Sequence, residues 1–141
     1  MIKILILSAI IILTTTVGYL LSLDKKKRSQ VFSELYEFNE QLLLNLKYGK
    51  VRLDAISCRF RYVQDVLSGK SVLGGEDEKI LKAYAECVGT TDPLSQIDYL
   101  NERKSILKKL RDESAENYKK YSSLYVKIAL MIGILLAVLL A

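Results

Sequence analysis

Residues with the chemical types for catalysis or ligation are few in this chain, and they are scattered. Glu76, Asp77 and Glu78 offer three carboxylates, but they are consecutive rather than spaced along one helix face. They suit a solvated helix start, where acids meet the positive end of the helix dipole, better than a cation site. Gly74-Gly75 lacks the preceding strand and the following Lys and Ser or Thr of a phosphate-cradling loop. Ser57 and Ser71 have no neighbouring base pattern, and the chain has no His from which a triad could be built. Cys58 and Cys87 lie in apolar-periodic stretches with no second Cys nearby. They are expected to be small buried apolar residues rather than redox or metal groups. The sequence predicts no enzyme activity, no cofactor, no metal and no small-molecule substrate.

Charge is the next signal. The 141 residues carry a net charge of +5 and a pI near 9.1. All but one of the 21 Lys and Arg, and all 16 Asp and Glu, fall between Asp24 and Lys127. A nucleic-acid surface would interleave exposed aromatics with a basic face. Here the nine Tyr mostly fall at bundle-facing spacing or, like Tyr19 and Tyr125, at the edges of apolar runs. The basic excess abuts an apolar segment instead, as the positive-inside rule describes, and no nucleic-acid partner is expected.

Two apolar runs position everything else. Residues 2–23 carry one charge, Lys3, and are long enough to cross a hydrocarbon core. The basic residues follow this run rather than lead it, and no A-x-A site closes it, so an uncleaved anchor is expected rather than a signal peptide. Residues 128–141 carry no charge, with the final span entered from about Tyr125. Lys25, Lys26, Lys27 and Arg28 after the first run, and Lys119, Lys120 and Lys127 before the second, form a membrane-proximal basic clamp. This places residues 24–127 in the cytoplasm and both termini outside, with the clamp against anionic headgroups of membrane lipids. Thr14, Thr15, Thr16 and Gly18 in the first run, and Gly133 in the second, are small enough for helix–helix contact; Gly18 and Gly133 are the candidate packing positions.

The middle is helical throughout, with no alternating strand pattern. Phe32, Leu35, Tyr36, Leu42, Leu43 and Leu46 follow helical spacing, with Glu34, Glu37, Glu40 and Gln41 off that face. No breaker separates this helix from the first span. Lys47-Tyr48-Gly49-Lys50 should end it, with Gly49 as a left-handed cap. Leu53, Ile56, Phe60, Val63 and Leu67 predict a second helix over 53–67, closed by Ser68-Gly69. Residues 68–75 read as a flexible loop. A short helix opens at Glu76 and buries Ile80, Leu81, Tyr84, Ala85 and Val88 before Gly89. Thr90-Thr91-Asp92-Pro93 is the clearest helix start, with a Thr or Asp as cap, Asp92 foremost, and Pro93 in the first turn. From there Leu100, Leu107, Ser114 and Tyr121 recur at seven, flanked by Leu94, Ile97, Leu110, Tyr118 and Tyr125. This predicts one helix of up to about 48 residues running through the second span. The fold class is all-α: a cytosolic antiparallel helical bundle flanked by N- and C-terminal transmembrane helices.

Three stretches resemble the stage III sporulation protein AB family. One is the layout of span, basic clamp, helical domain and final span. The second is LLLNLKYGKVRLDAI (42–56). The third, the most specific, is VGTTDPLSQIDYL (88–100) with its Gly89, Asp92 and Gln96 spacing, followed by YSSLYVKIALMIGILLAVLL (121–140). The chain departs from the family where Ile128-Ala129 replaces a Leu-Gly pair, and it is shorter around residues 68–80.

The resemblance implies a structural component of the mother-cell-to-forespore channel of endospore-forming bacteria, seated in the mother-cell membrane. It also implies partners among the other channel membrane proteins and a cytosolic secretion-type ATPase. The alternative is a generic small inner-membrane protein, such as a secretion-platform fragment or a holin-like product.

Overall fold

The computed structural model describes residues 1–49, 52–90 and 92–141. Lys50, expected at the close of the first helix, and Thr91, one of the candidate caps, lie outside the described residues. Among the described residues there are five helices and no strand: α1 (Ile2–Tyr48), α2 (Leu53–Ser57), α3 (Arg61–Leu67), α4 (Gly75–Cys87) and α5 (Pro93–Leu140). The fold is all-α, with long apolar helices at both ends flanking a smaller helical region. The chain divides into two compact units, one of Met1–Ser29 with Glu113–Ala141 and the other of Gln30–Asp112.

In the Gln30–Asp112 unit the core is built on one face of α1. Phe32, Leu35, Phe38 and Leu42 are buried there, together with Val63 and Val66 of α3, Leu81 and Tyr84 of α4, and Leu100 and Leu107 of α5. The buried residues of α1 and α4 fall on the predicted stripes, with Tyr36, Leu46 and Ala85 packed half-buried against the core and Ile80 only half-buried. Leu94 is the exception on α5: it is 77% exposed, and the inward position goes to Gln96.

The helix expected over 53–67 is two helices. Phe60 leaves helical geometry (φ −121°, ψ 107°) and ends up buried, with its ring edge-on to Phe38 at 6.2 Å. Glu34 makes the break tolerable: its Oε2 accepts the Tyr62 backbone N–H (2.9 Å), one of the donors that the start of α3 leaves without a carbonyl. Glu34, expected on the solvated face, is half-buried as a result.

Two further expectations are corrected. Gly49 is not left-handed; the positive-φ glycines among the described residues are Gly69, Gly75 and Gly89. Gly49 continues the helical pattern, donating its N–H to the Asn45 carbonyl (2.8 Å), and a Cβ there would run into the Asn45 side chain. It supplies room rather than handedness. Cys58 and Cys87 are free and exposed, because Ile56 and Ser57 beside the one, and Tyr84 and Val88 beside the other, take the inward positions.

Gly69 does close α3 in left-handed geometry. The Gly69 N–H reaches the Val66 carbonyl (3.1 Å) and the Lys70 N–H the Asp65 carbonyl (3.0 Å), the paired bonds of a Schellman end. The loop that follows is anchored rather than loose. Val72 is buried in the core, and the Glu78 carboxylate accepts from Ser71 and Lys82, which holds it below the usual carboxylate range.

Candidate membrane-interface site

The other unit consists of the first part of α1 and the last part of α5, packed antiparallel. Both helices are long and apolar enough to cross a membrane, and their apolar windows are only 6% buried within the protein. Apolar side chains such as Leu5, Leu13, Val17, Met131, Leu135 and Val138 face outward.

The inward seam is made of small residues. Thr14, Gly18 and Ser22 recur every four residues on α1; Thr14 faces Gly133 and Gly18 faces Ala129 of α5, and Ser22 is buried. A Cβ at Gly18 would lie 2.6 Å from Ala129 Cβ and 2.8 Å from the Tyr125 carbonyl oxygen; one at Gly133 would collide with Thr14 Oγ1 and lie 3.3 Å from Ile11 Cα. The two candidate glycines are therefore points of close approach between the helices, and neither helix could tolerate a side chain there without moving. The hydroxyls along α1 need nothing from the other helix. Thr14 donates to the Ile11 carbonyl (3.0 Å), Thr15 also to Ile11 (2.7 Å), Thr16 to Ile12 (2.7 Å) and Ser22 to Tyr19 (2.7 Å). Such back-bonding lets a polar side chain sit in an apolar medium at little cost.

Above the seam the basic residues gather. Lys25 Nζ stands 5.6 Å from the Tyr121 ring centre, and Lys120 Nζ stands 5.5 Å from the same ring. Tyr121 stacks on Tyr125, with ring centres 6.0 Å apart. One ring thus carries a cation from each half of the clamp. Of the other clamp residues, Lys26, Lys27, Lys119 and Lys127 are exposed and Arg28 is half-buried.

Asp92 and Pro93 lie elsewhere, at the start of α5. Asp92 Oδ2 accepts the Ser95 backbone N–H (3.3 Å), and the hydrogen bonds from Ser95 hold the Asp92 carboxyl below its usual range. Among the described residues no group of three or more Cys, Asp or Glu side chains converges on a point that could hold a metal.

One polar feature was missed by sequence reasoning. Asn39, fully buried on α1, donates from Nδ2 to the Leu100 carbonyl of α5 (3.2 Å) and accepts at Oδ1 from the Tyr84 hydroxyl of α4 (3.0 Å). Burial pushes the Tyr84 phenol far above its ordinary range. A signal existed: Asn39 follows Phe32 and Leu35 and precedes Leu42 at helical steps, so its spacing put it inside while its residue type argued against it. Nearby, Glu40 pairs with Lys104 (2.6 Å), and Arg111 lies over the Tyr36 ring (4.2 Å). These contacts tie α1 to α5 within the bundle.

No curated protein and no solved structure matches the chain. Residues 60–141 match the family described as stage III sporulation protein AB. The matched segment takes in α3, α4 and the whole of α5, including the Asp92-Pro93 start, Tyr121, Tyr125 and Gly133. Covering more than half of the sequence, this match makes the chain a member of the stage III sporulation protein AB family.

Proposed function

We propose that this sporulation protein is a structural membrane component of the channel between mother cell and forespore and acts by protein–protein assembly. On this reading residues 2–23 and 128–141 span the mother-cell membrane, the second span being entered from about Tyr125. Residues 24–127 lie in the cytoplasm and both termini outside. The spans present apolar faces to lipid and to other channel subunits, and the bundle is the surface on which a cytosolic secretion-type ATPase docks.

The observation that carries the reading is the construction of the small-residue helix pair. It is apolar outside, has glycine at two points of close approach, and gathers cations at one end around Tyr121. Helices in water gain by burying apolar faces. Helices in lipid gain instead by close backbone approach through small residues, which is what Gly18 and Gly133 provide. The clamp supplies the sidedness, since clustered Lys and Arg are retained on the cytoplasmic side.

Deletion of the gene in a spore-forming host should lower spore yield, with restoration by the wild-type chain; unchanged yield refutes the channel role. Topology has a direct test in the two exposed thiols. An impermeant maleimide should modify Cys58 and Cys87 only after the cells are permeabilised, and labelling of intact cells contradicts the cytoplasmic placement.

A further inference from the structure

The seam leaves a groove on one side of the helix pair. It encloses about 350 Å³ and is lined almost wholly by apolar atoms. Leu13, Val17 and Leu21 of α1 form one wall, and Ile128 and Ile132 of α5 the other. It extends along α1 from Leu13 to Leu21, about 12 Å at the helical rise. It is open along its length, so a flexible hydrocarbon chain can lie in it against both walls.

Its upper end is not apolar. Tyr125 lines the groove and stacks on Tyr121, the ring that carries Lys25 and Lys120. In the two segments that rise above the groove, residues 24–29 and 113–124, six basic side chains stand against three acids, Asp24, Glu113 and Glu116. Arg28 is half-buried on the same stretch of α1. An open apolar groove with an aromatic pair at one end, and two ammonium groups on the ring beyond it, matches an amphiphile with an acyl tail and an anionic head.

We propose that this groove holds one anionic phospholipid. An acyl chain lies between Val17 and Ile132, and the phosphate sits at Lys25 and Lys120 beside Tyr121. This rests on the membrane-spanning reading above. Close approach at Gly18 and Ala129 keeps the groove shallow, and the ammonium groups select the headgroup. The zwitterionic head of phosphatidylcholine gains less from that pair, because its choline cation offsets the attraction of its phosphate, and inorganic phosphate lacks the tail that fills the slot.

The test uses the full-length chain purified in mild detergent, titrated with dioleoylphosphatidylglycerol or dioleoylphosphatidylcholine and read by native mass spectrometry. The wild type should retain one phosphatidylglycerol in preference to phosphatidylcholine, with no displacement by millimolar inorganic phosphate. A basic group at a surface is worth roughly fivefold in affinity, so the K25A/K120A double variant should lose about thirtyfold for phosphatidylglycerol and little for phosphatidylcholine. Val17, 56% exposed, faces the groove rather than the seam, so V17W should fill the slot and abolish retention of either lipid with helicity unchanged by circular dichroism. Equal retention of the two lipids by the wild type overturns the proposal. So does phosphatidylglycerol affinity within twofold of wild type in K25A/K120A, or a second copy of the chain occupying the face in place of lipid. Failure of the underlying reading looks different: alkaline carbonate would then release the chain from membranes, whereas a chain that stays in the membrane without a selective lipid condemns the lipid site alone.

Discussion

The Asn39 network makes the most discriminating prediction about the bundle. Asn39→Leu keeps the approximate size of the side chain, raises its helix preference by a few tenths of a kcal/mol and removes both of its hydrogen bonds. The Leu100 carbonyl loses little, because a carbonyl in mid-helix has its own backbone donor. The Tyr84 hydroxyl loses its acceptor while remaining 98% buried. Leaving one buried polar group without a partner costs about 1–3 kcal/mol. Tyr84→Phe should cost a similar amount by stranding Asn39 Oδ1. The double variant N39L/Y84F removes both polar groups and leaves an apolar contact, which is close to neutral relative to either single change. The expected result is strong non-additivity, with each single variant about 2 kcal/mol down and the double variant well short of their sum. For a folding unit of this size, 1 kcal/mol moves the melting midpoint by roughly 4–8 °C, so each single change should lower it by about 8–16 °C. Thermal melts of the full chain in detergent, followed by circular dichroism, read the effect. Additive losses, or single variants within 0.5 kcal/mol of wild type, would refute the reasoning, because the two groups would then not be satisfying each other.

Three further outcomes follow from named contacts. Gly18→Val should destabilise the helix pair by ~1–3 kcal/mol in the same melt, since its Cβ would meet Ala129 and the Tyr125 carbonyl, and a melt indistinguishable from wild type would contradict the close packing there. Asp92 has its carboxyl pKa lowered on folding, so its contribution is present above the ordinary value of 3.8 and lost as pH falls through the lower folded value. Asp92→Asn, which still caps, should remove that part of the acid dependence in a pH titration of stability, and an unchanged acid limb would contradict the assignment. Phe60→Ala should cost about 3–5 kcal/mol by emptying the site against Phe38, which is more than an exposed turn residue could cost in a denaturant titration.

The parts of the fold legible in the sequence are those set by local chemistry. Pro93 after Asp92, followed by a stretch whose one glycine is Gly133, dictates a single long helix. The steps from Phe32 to Leu42 dictate a buried face, and the absence of a breaker near Asp24 dictates the continuity of α1. What was not legible depends on distant neighbours. Leu53, Ile56, Phe60, Val63 and Leu67 stay in helical register across residues 58–60, so periodicity alone gives one helix. The break exists because Phe38 offers Phe60 a place and Glu34 offers Tyr62 an acceptor, both from another element. Apolar neighbours likewise hid the exposure of Cys58 and Cys87, since membership of an apolar stretch does not say which face a residue occupies. In the small-residue pair the types and positions of Gly18 and Gly133 were readable. The register that sets Gly18 against Ala129, rather than one turn away, belongs to the packing.

That register bears on where the hydrocarbon edge falls. On the membrane reading, charge alone would put the edge after Leu23 on α1 and after Lys127 on α5. Yet Gly18 lies against Ala129, Thr14 against Gly133, and Lys25 against Tyr121. Interpolating along the antiparallel pair, Leu23 is level with the region of Leu124, and Lys127 is level with the region of Tyr19. The two charge-defined edges therefore differ by about one turn, roughly 5 Å. The residues within that turn resolve the mismatch. Tyr19 and Tyr125 are the amphipathic rings that favour the headgroup level. Lys127 has an alkyl stem long enough to carry its ammonium up past Tyr125 toward the other cations, as lysines near span ends do. On the membrane reading the edge lies at the two tyrosines, with Lys127 anchored below it and reaching out. The mouth of the apolar groove, lined by Leu21 and Tyr125, then sits at headgroup depth, where an anionic lipid head must be if its chain is to lie along the seam.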